Sequence, residues 1–335
     1  MKRIIAFLLS ALLILSLAAC GGTAAGAGAP GESAAAASSV QIRIAGLKGP
    51  TSMGLVKVME DAESGAAAGN YAFSLFGSAD EVTPKLIQGE LDMAALPANL
   101  AAVLYNNTDG AIRVLAVNTL GVLDIVEKGS SVQSIADLKG RTIYATGKGS
   151  TPEYTIRHIL SESGIDPDKD VTLEFRSEPT EVVSLLSAEG EAVAMLPQPY
   201  VTAALGKVEG LRIAIDLNEA WNALDTGSLL ITGVMAARAD FIEQNKAAVD
   251  AFLKEYEASV GWVTANPADA AALIEKFDIA KAAAAEKALP YCNLTFLAGN
   301  DMVAPLGGYL EVLYGQNPKA VGGKLPAENF YYTGK

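Results

Sequence analysis

From residue 41 onward the apolar positions fall into short runs of two kinds. Segments 41–45, 71–76, 92–96 and 112–117 alternate or are almost wholly apolar over five or six residues, and read as strands. Between them, 53–61 and 98–105 carry apolar residues at helical spacing, and Asp80 stands as the N-cap of a helix running through Gln88. The pattern then starts again. Strands are expected over 141–145, 171–175, 192–196 and 211–216. Helices are expected over 152–161 with Pro152 in the first turn, from a Thr180 cap through Ala188, and over 199–205. Such alternation with short loops predicts parallel sheets covered by helices.

The restart is a repeat at an offset of 100 residues. Ala45, Lys48, Gly49 and Thr51 return as Ala145, Lys148, Gly149 and Thr151, Glu81 as Glu181, and Pro97 as Pro197. Gly89-Glu90 returns one position late as Gly190-Glu191, and Ile112-Arg113-Val114 has a counterpart in Leu211-Arg212-Ile213. The repeat predicts two βαβαβ lobes, mostly parallel, with a ligand cleft between them. Apolar segments 121–127 and 228–235 bracket the second unit and read as the crossovers. This gives lobe 1 residues 40–120 plus 234–335, and lobe 2 residues 121–233. After the return, 238–260, 267–277 and the alanine run at 282–285 look helical, and Trp262 falls in a core pattern. The tail through Phe330-Tyr331-Tyr332 is expected to pack back on lobe 1.

The N-terminus changes the picture of where the chain works. Lys2 and Arg3 precede an apolar run over 4–17, and Leu17-Ala18-Ala19-Cys20 supplies small residues before a cysteine. This resembles a bacterial lipobox: 1–19 is expected to be a signal peptide and Cys20 the lipidated first residue of the mature protein. The run is short of the roughly 20 residues of a membrane span. Residues 21–39 are almost all Gly, Ala, Ser and Thr and read as a flexible tether. The expected location is the outer face of a bacterial cytoplasmic membrane, or the periplasm.

Composition mainly excludes. The formal charge is -13 and the basic residues are scattered without interleaved aromatics, which argues against nucleic acid as a partner. With Cys20 assigned, Cys292 has no disulfide partner and reads as a buried thiol between Tyr291 and Leu294. His158 is the one histidine and lies mid-helix, outside any triad pattern. No spacing suggests a metal, and Asp92 near Glu90, like Glu189 near Glu191, reads as a solvated turn charge. Neither an enzyme nor a cofactor is expected.

In open α/β sheets ligands bind beyond the carboxyl ends of the strands, near helix N-termini with free N–H groups. That selects Lys48, Gly49, Thr51 and Ser52 in lobe 1, and Lys148, Gly149, Ser150 and Thr151 in lobe 2. Neither loop is a nucleotide fingerprint. Ser78, Pro97, Asn99 and Gln198 end other strands, with amides able to donate and accept. Asn118, Thr119 and Thr232 lie at the crossovers, and Tyr154, Tyr200 and Trp221 are candidate aromatic walls.

Several of these stretches carry a resemblance: Gly49-Pro50-Thr51, Leu86-Ile87-Gln88-Gly89-Glu90-Leu91-Asp92, Ser134-Ile135-Ala136-Asp137-Leu138-Lys139-Gly140, Leu196-Pro197-Gln198-Pro199-Tyr200 and Asp240-Phe241-Ile242. Over about residues 42–332 the chain resembles the substrate-binding lipoproteins of ABC importers, in the group of aliphatic sulfonate, taurine and thiamine-precursor binders. The resemblance implies a type II periplasmic-binding-protein clamshell, acting as a monomer. It would capture a small, aromatic or anionic, solute and deliver it to a membrane permease with its ATPase. The cysteine-rich motif of thiamine-precursor synthesis is missing, which counts against synthesis but not uptake. Two other readings stay open: a menaquinone-pathway-like enzyme on the same fold, and an extracytoplasmic sensor.

Overall fold

The computed structural model describes residues 40–188 and 190–334. The signal peptide, Cys20 and its tether, and Glu189 lie outside the described residues.

The first pass of the chain builds β1 (Gln41–Leu47), a single turn α1 (Pro50–Met53), α2 (Val56–Ser64), β2 (Asn70–Phe76), α3 (Ala79–Gln88), β3 (Met93–Pro97), α4 (Ala98–Asn107) and β4 (Ile112–Leu120). The second builds β5 (Leu123–Lys128), β6 (Thr142–Thr146), α5 (Thr151–Glu162), β7 (Thr172–Arg176), α6 (Pro179–Ala188), β8 (Ala192–Pro197), α7 (Tyr200–Leu205), β9 (Leu211–Asp216) and α8 (Leu217–Asn222). The chain then returns through β10 (Ile231–Arg238), α9 (Ala239–Gln244), α10 (Lys246–Ala265), α11 (Pro267–Lys276), α12 (Ala282–Ala288), β11 (Leu294–Ala298) and α13 (Val303–Gln316).

Two sheets result, ordered β11-β4-β10-β3-β1-β2 and β7-β6-β8-β5-β9. Apart from the edge strand β11 they are the same sheet twice, with β10 in the first standing where β5 stands in the second. α3 and α6 occupy equivalent places at the 100-residue offset. This is the two-lobed α/β clamshell of type II binding proteins.

The crossover segments are full members of the sheets. β10 runs antiparallel to β3 and β4, and β5 antiparallel to β8 and β9, so each sheet is mixed rather than mostly parallel. Each is the first strand after a crossover, so it enters the new sheet from the cleft side, against its parallel neighbours. Ile231 and Gly233 already pair with Leu120, Thr119 and Pro97, which puts the expected lobe boundary at Gly233 inside β10.

Strands buried on both faces explain the continuous apolar runs. On β3, Met93 and Ala95 pack with Ile42, Leu55, Phe252 and Tyr256, while Ala94 and Leu96 pack with Leu104, Tyr105 and Leu306. The second of these cores runs on into lobe 2 through Ile156, Leu217 and Trp221, with Tyr309 of α13 among them. The tail closes on lobe 1: Tyr332 N–H donates to the Val114 carbonyl at 2.9 Å and Phe330 is buried against Tyr105.

Four local expectations change. Ser78, not Asp80, caps α3, because its extended backbone lets Glu81 three residues on accept from the Ser78 N–H at 3.1 Å. Thr180 lies inside α6, which begins at Pro179. The helix expected over 238–260 is two helices broken at Asn245, whose side chain donates to the Phe241 carbonyl at 3.1 Å. Trp262 is half-buried under Lys57, and Val263 takes the core position beside it.

Candidate functional site

β1, β3 and β4 all end on one edge of the first sheet, and β6, β8 and β9 on one edge of the second. The crossover Gly121-Val122 joins the end of β4 to the start of β5, so the two edges face each other. The strand-end loops of both lobes therefore look into one cleft.

On the lobe 1 side, Thr51, Ser52, Asn118 and Thr119 are buried together. Asn118 Nδ2 donates to the Thr51 carbonyl at 3.2 Å, and Thr119 Oγ1 donates to Asn118 Oδ1 at 3.0 Å. Gly233 permits this, since a Cβ there would lie 2.5 Å from both Asn118 Oδ1 and Thr51 Cγ2. Half-buried Thr232 precedes it on β10. The Ser52 hydroxyl is buried without a partner, and the buried Tyr256 hydroxyl lies beside Asn118 without a well-formed hydrogen bond.

On the lobe 2 side, Gly147 and Gly149 take φ of 79° and 73°, a left-handed geometry that lets the loop fold over the start of α5. Ser150 Oγ donates to the Gly147 carbonyl at 2.7 Å, and the Gly149 N–H donates to Glu153 Oε2 at 2.7 Å. Thr151 meets lobe 1 directly, with Oγ1 donating to Asn99 Oδ1 at 3.5 Å. Asn99 also donates to the Ala320 carbonyl at 3.3 Å. At the end of β8, Gln198 is buried: its backbone N–H donates to the Val122 carbonyl, and its Nε2 donates to Asp124 Oδ2 at 3.2 Å. Pro97 is half-buried at the end of β3 in lobe 1, where it pairs with Gly233.

Other expected residues are engaged elsewhere. Lys48 is exposed and pairs with Asp278, and Lys148 is exposed on the loop. Ser78 is exposed and serves the α3 cap. Tyr200 is 38% exposed on α7. Tyr154 is buried, donating to the Gly149 carbonyl at 3.1 Å and accepting from Asn317 Nδ2 at 2.8 Å. Trp221 is no open wall. It is fully buried between His158 and Tyr309, with its indole N–H donating to Ser228 Oγ at 3.1 Å.

Asp92 is likewise not a solvated turn charge. It is 2% exposed at the opposite ends of the strands, where Arg43 donates to both its oxygens from Nε and Nη2 at 2.8 and 2.6 Å. Cys292 is buried as expected, and burial, with Asp124 nearby, pushes its thiol up to about 12.

Two residues went unread in the sequence. Tyr309, on α13, places a buried and unpartnered hydroxyl beside Thr151. Asp124, 5% exposed at the cleft end of β5, has its carboxyl pushed up to about 7 by burial, with Asp216 adding to the rise and the Gln198 amide opposing it. A lone acid in the apolar run Leu123-Asp124-Ile125-Val126, directly after the crossover glycine, was the available signal.

Residues 56–277 match the NMT1-like family, two thirds of the chain. The chain belongs to the NMT1-like family. A protein named as a binding protein in Brucella abortus is 25% identical over 174 residues, 52% of each chain. The chain thus spans about half the length of the curated relatives it matches. A solved ABC transporter protein from Parabacteroides distasonis superposes with a TM-score of 0.73 at 24% identity, covering 87% of this chain and 98% of that one. The periplasmic aliphatic sulphonate binding protein SsuA from Escherichia coli gives 0.69 at 18% identity, covering 87% and 92%. At these identities the structural likeness speaks for the fold. None of the chain's described helices is long and apolar enough to cross a membrane.

Proposed function

We propose that this NMT1-like protein is an extracytoplasmic solute receptor of an ABC importer. It takes a small organic molecule between its lobes and hands it to a membrane permease. The observation that carries this reading is the convergence of polar groups from both lobes on one cleft, with the buried hydroxyls of Ser52, Tyr256 and Tyr309 left without partners. Thr51, Ser52, Asn118 and Tyr256 come from one side, and Thr151, Gln198 and Asp124 from the other, with Tyr309 on the strap of α13. Buried hydroxyls without partners are costly, so a ligand that satisfies them gains specificity from the site. The lipobox reading of Cys20 adds a lipid tether that keeps the receptor near its permease.

The test is a native mass spectrum of the purified chain followed by a thermal-shift screen of small solutes. A solute that raises the melting temperature should do so less in Thr51→Ala and in Thr151→Ala. If both variants keep the full shift, the cleft is not the site.

A further inference from the structure

The charges around the cleft are arranged against the ligand sign that the sulfonate-binder likeness suggests. The groups that would cradle an anion are already occupied by this chain's own carboxylates. Glu153 takes the Gly149 N–H at the start of α5, and Glu81 takes the Ser78 N–H at the start of α3. The lobe 1 loop opens only the single turn α1, which begins with a proline and so lacks one of its N–H groups. Of the cationic side chains near the strand ends, Lys148 is exposed on its loop and two others are paired. Lys48 is bound to Asp278, and Arg176 at the end of β7 is bound to Glu174 at 2.8 Å.

What is left at the base of the cleft is acidic. Asp124 is nearly fully buried, next to the cleft ends of β8 and β9, and no described Lys or Arg pairs with it. Its neighbours are the Gln198 amide, the buried Cys292 and a second carboxylate, Asp216, whose Oδ1 caps α8 by accepting from Asn218 and Glu219 N–H. A sulfonate placed here would meet two carboxyl groups and no countercharge. An N–H donor would meet a buried carboxyl whose neighbouring donor is the neutral Gln198 amide and which has no cationic partner among the described residues.

We propose that Asp124 is the specificity-determining residue of the cleft, and that the solute presents it with an amine, amidine or guanidine group. The inference rests on the reading of the cleft as a solute site, and deepens it by naming the ligand chemistry.

Two matched pairs test it by calorimetry and thermal shift on the chain from residue 40: benzamidine against benzenesulfonate, and pentylamine against pentanesulfonate. Any small molecule released on unfolding is identified by mass. The nitrogen member of a pair should bind, and Asp124→Asn should weaken it about tenfold or more, the loss of a charge-assisted hydrogen bond. Asp124→Glu keeps the charge and should keep the order within each pair even where affinity drops, which separates specificity from a folding defect. Tighter binding of a sulfonate, or release of an organic anion, overturns this inference and leaves the receptor reading standing. An amine, amidine or guanidine among the released molecules supports it. If no probe binds and no solute is released, the receptor reading itself falls, and the ligand chemistry with it.

Discussion

Asp92 and Asp124 show how the same residue type, equally buried, acquires opposite energetics from its partners. Asp92 accepts from the Arg43 backbone and guanidinium, so its charge is compensated where it stands. Asp92→Ala should therefore cost about 3 kcal/mol in denaturant unfolding, the low end for buried pairs because Arg43 is partly exposed. Asp124 has an amide and a second carboxyl instead. Its folded carboxyl titrates near 7, well above the ordinary carboxylate range, so the folded state holds the proton more tightly than the unfolded chain. The stability this contributes is complete below about pH 4 and is lost as pH rises through 7. In solute-free protein, the melting temperature of Asp124→Asn relative to the natural chain should climb from pH 5 to pH 8 and then level off. A difference that stays flat across that range would mean that Asp124 ionises freely in the fold.

At the scale of elements, the strap made by α13 distinguishes this chain from a simple pair of lobes. It leaves the first sheet and lies against α5, where Gln316 Nε2 donates to the Tyr154 carbonyl at 2.9 Å and Asn317 donates to the Tyr154 hydroxyl. Trp221 fills the space between α5, α8 and this strap. Trp221→Ala should cost about 3–5 kcal/mol of stability, as deletion of a large buried ring does. Trp221→Phe should recover most of it while leaving solute affinity near that of the natural chain, a split that an aromatic wall of the cleft would not show. Strand and helix positions were legible because a two-residue or 3.6-residue period survives wherever one side of an element is buried, and the repeat showed that the same unit is built twice. The antiparallel insertion of β5 and β10 was not legible, since an apolar strand looks the same in either direction. Loop residues such as Thr51 and Thr151 could be placed from their strand ends. Tyr309 and Trp221 could not, because Trp221 meets His158 and Tyr309 from helices that lie more than 60 residues away in the chain on either side.

For the whole molecule the question is what the crossovers permit. Gly121 is gripped from both sides: its N–H donates to Asn218 Oδ1 at 3.2 Å, and its carbonyl accepts from Asn293 Nδ2 at 2.6 Å. A Cβ at this position would lie 2.6 Å from Leu230 and 2.8 Å from Asn218. Leu230 and Asn218 belong to the return path and to α8, so the crowding falls where the two crossovers pass each other. Gly121→Ala should therefore penalise this approach of the two crossovers, which we take as the one closure on solute needs, whereas it touches none of the groups that would contact solute. A receptor that binds only when closed has an apparent dissociation constant raised by the fraction of molecules left open. The variant should then show a larger radius of gyration by solution scattering in the presence of solute, together with weaker apparent affinity. Saturating solute should restore the compact form, because ligand and closure are linked by the same free energy. If affinity fell while the scattering curve stayed that of the natural chain, the crossover would be a ligand contact and not a hinge.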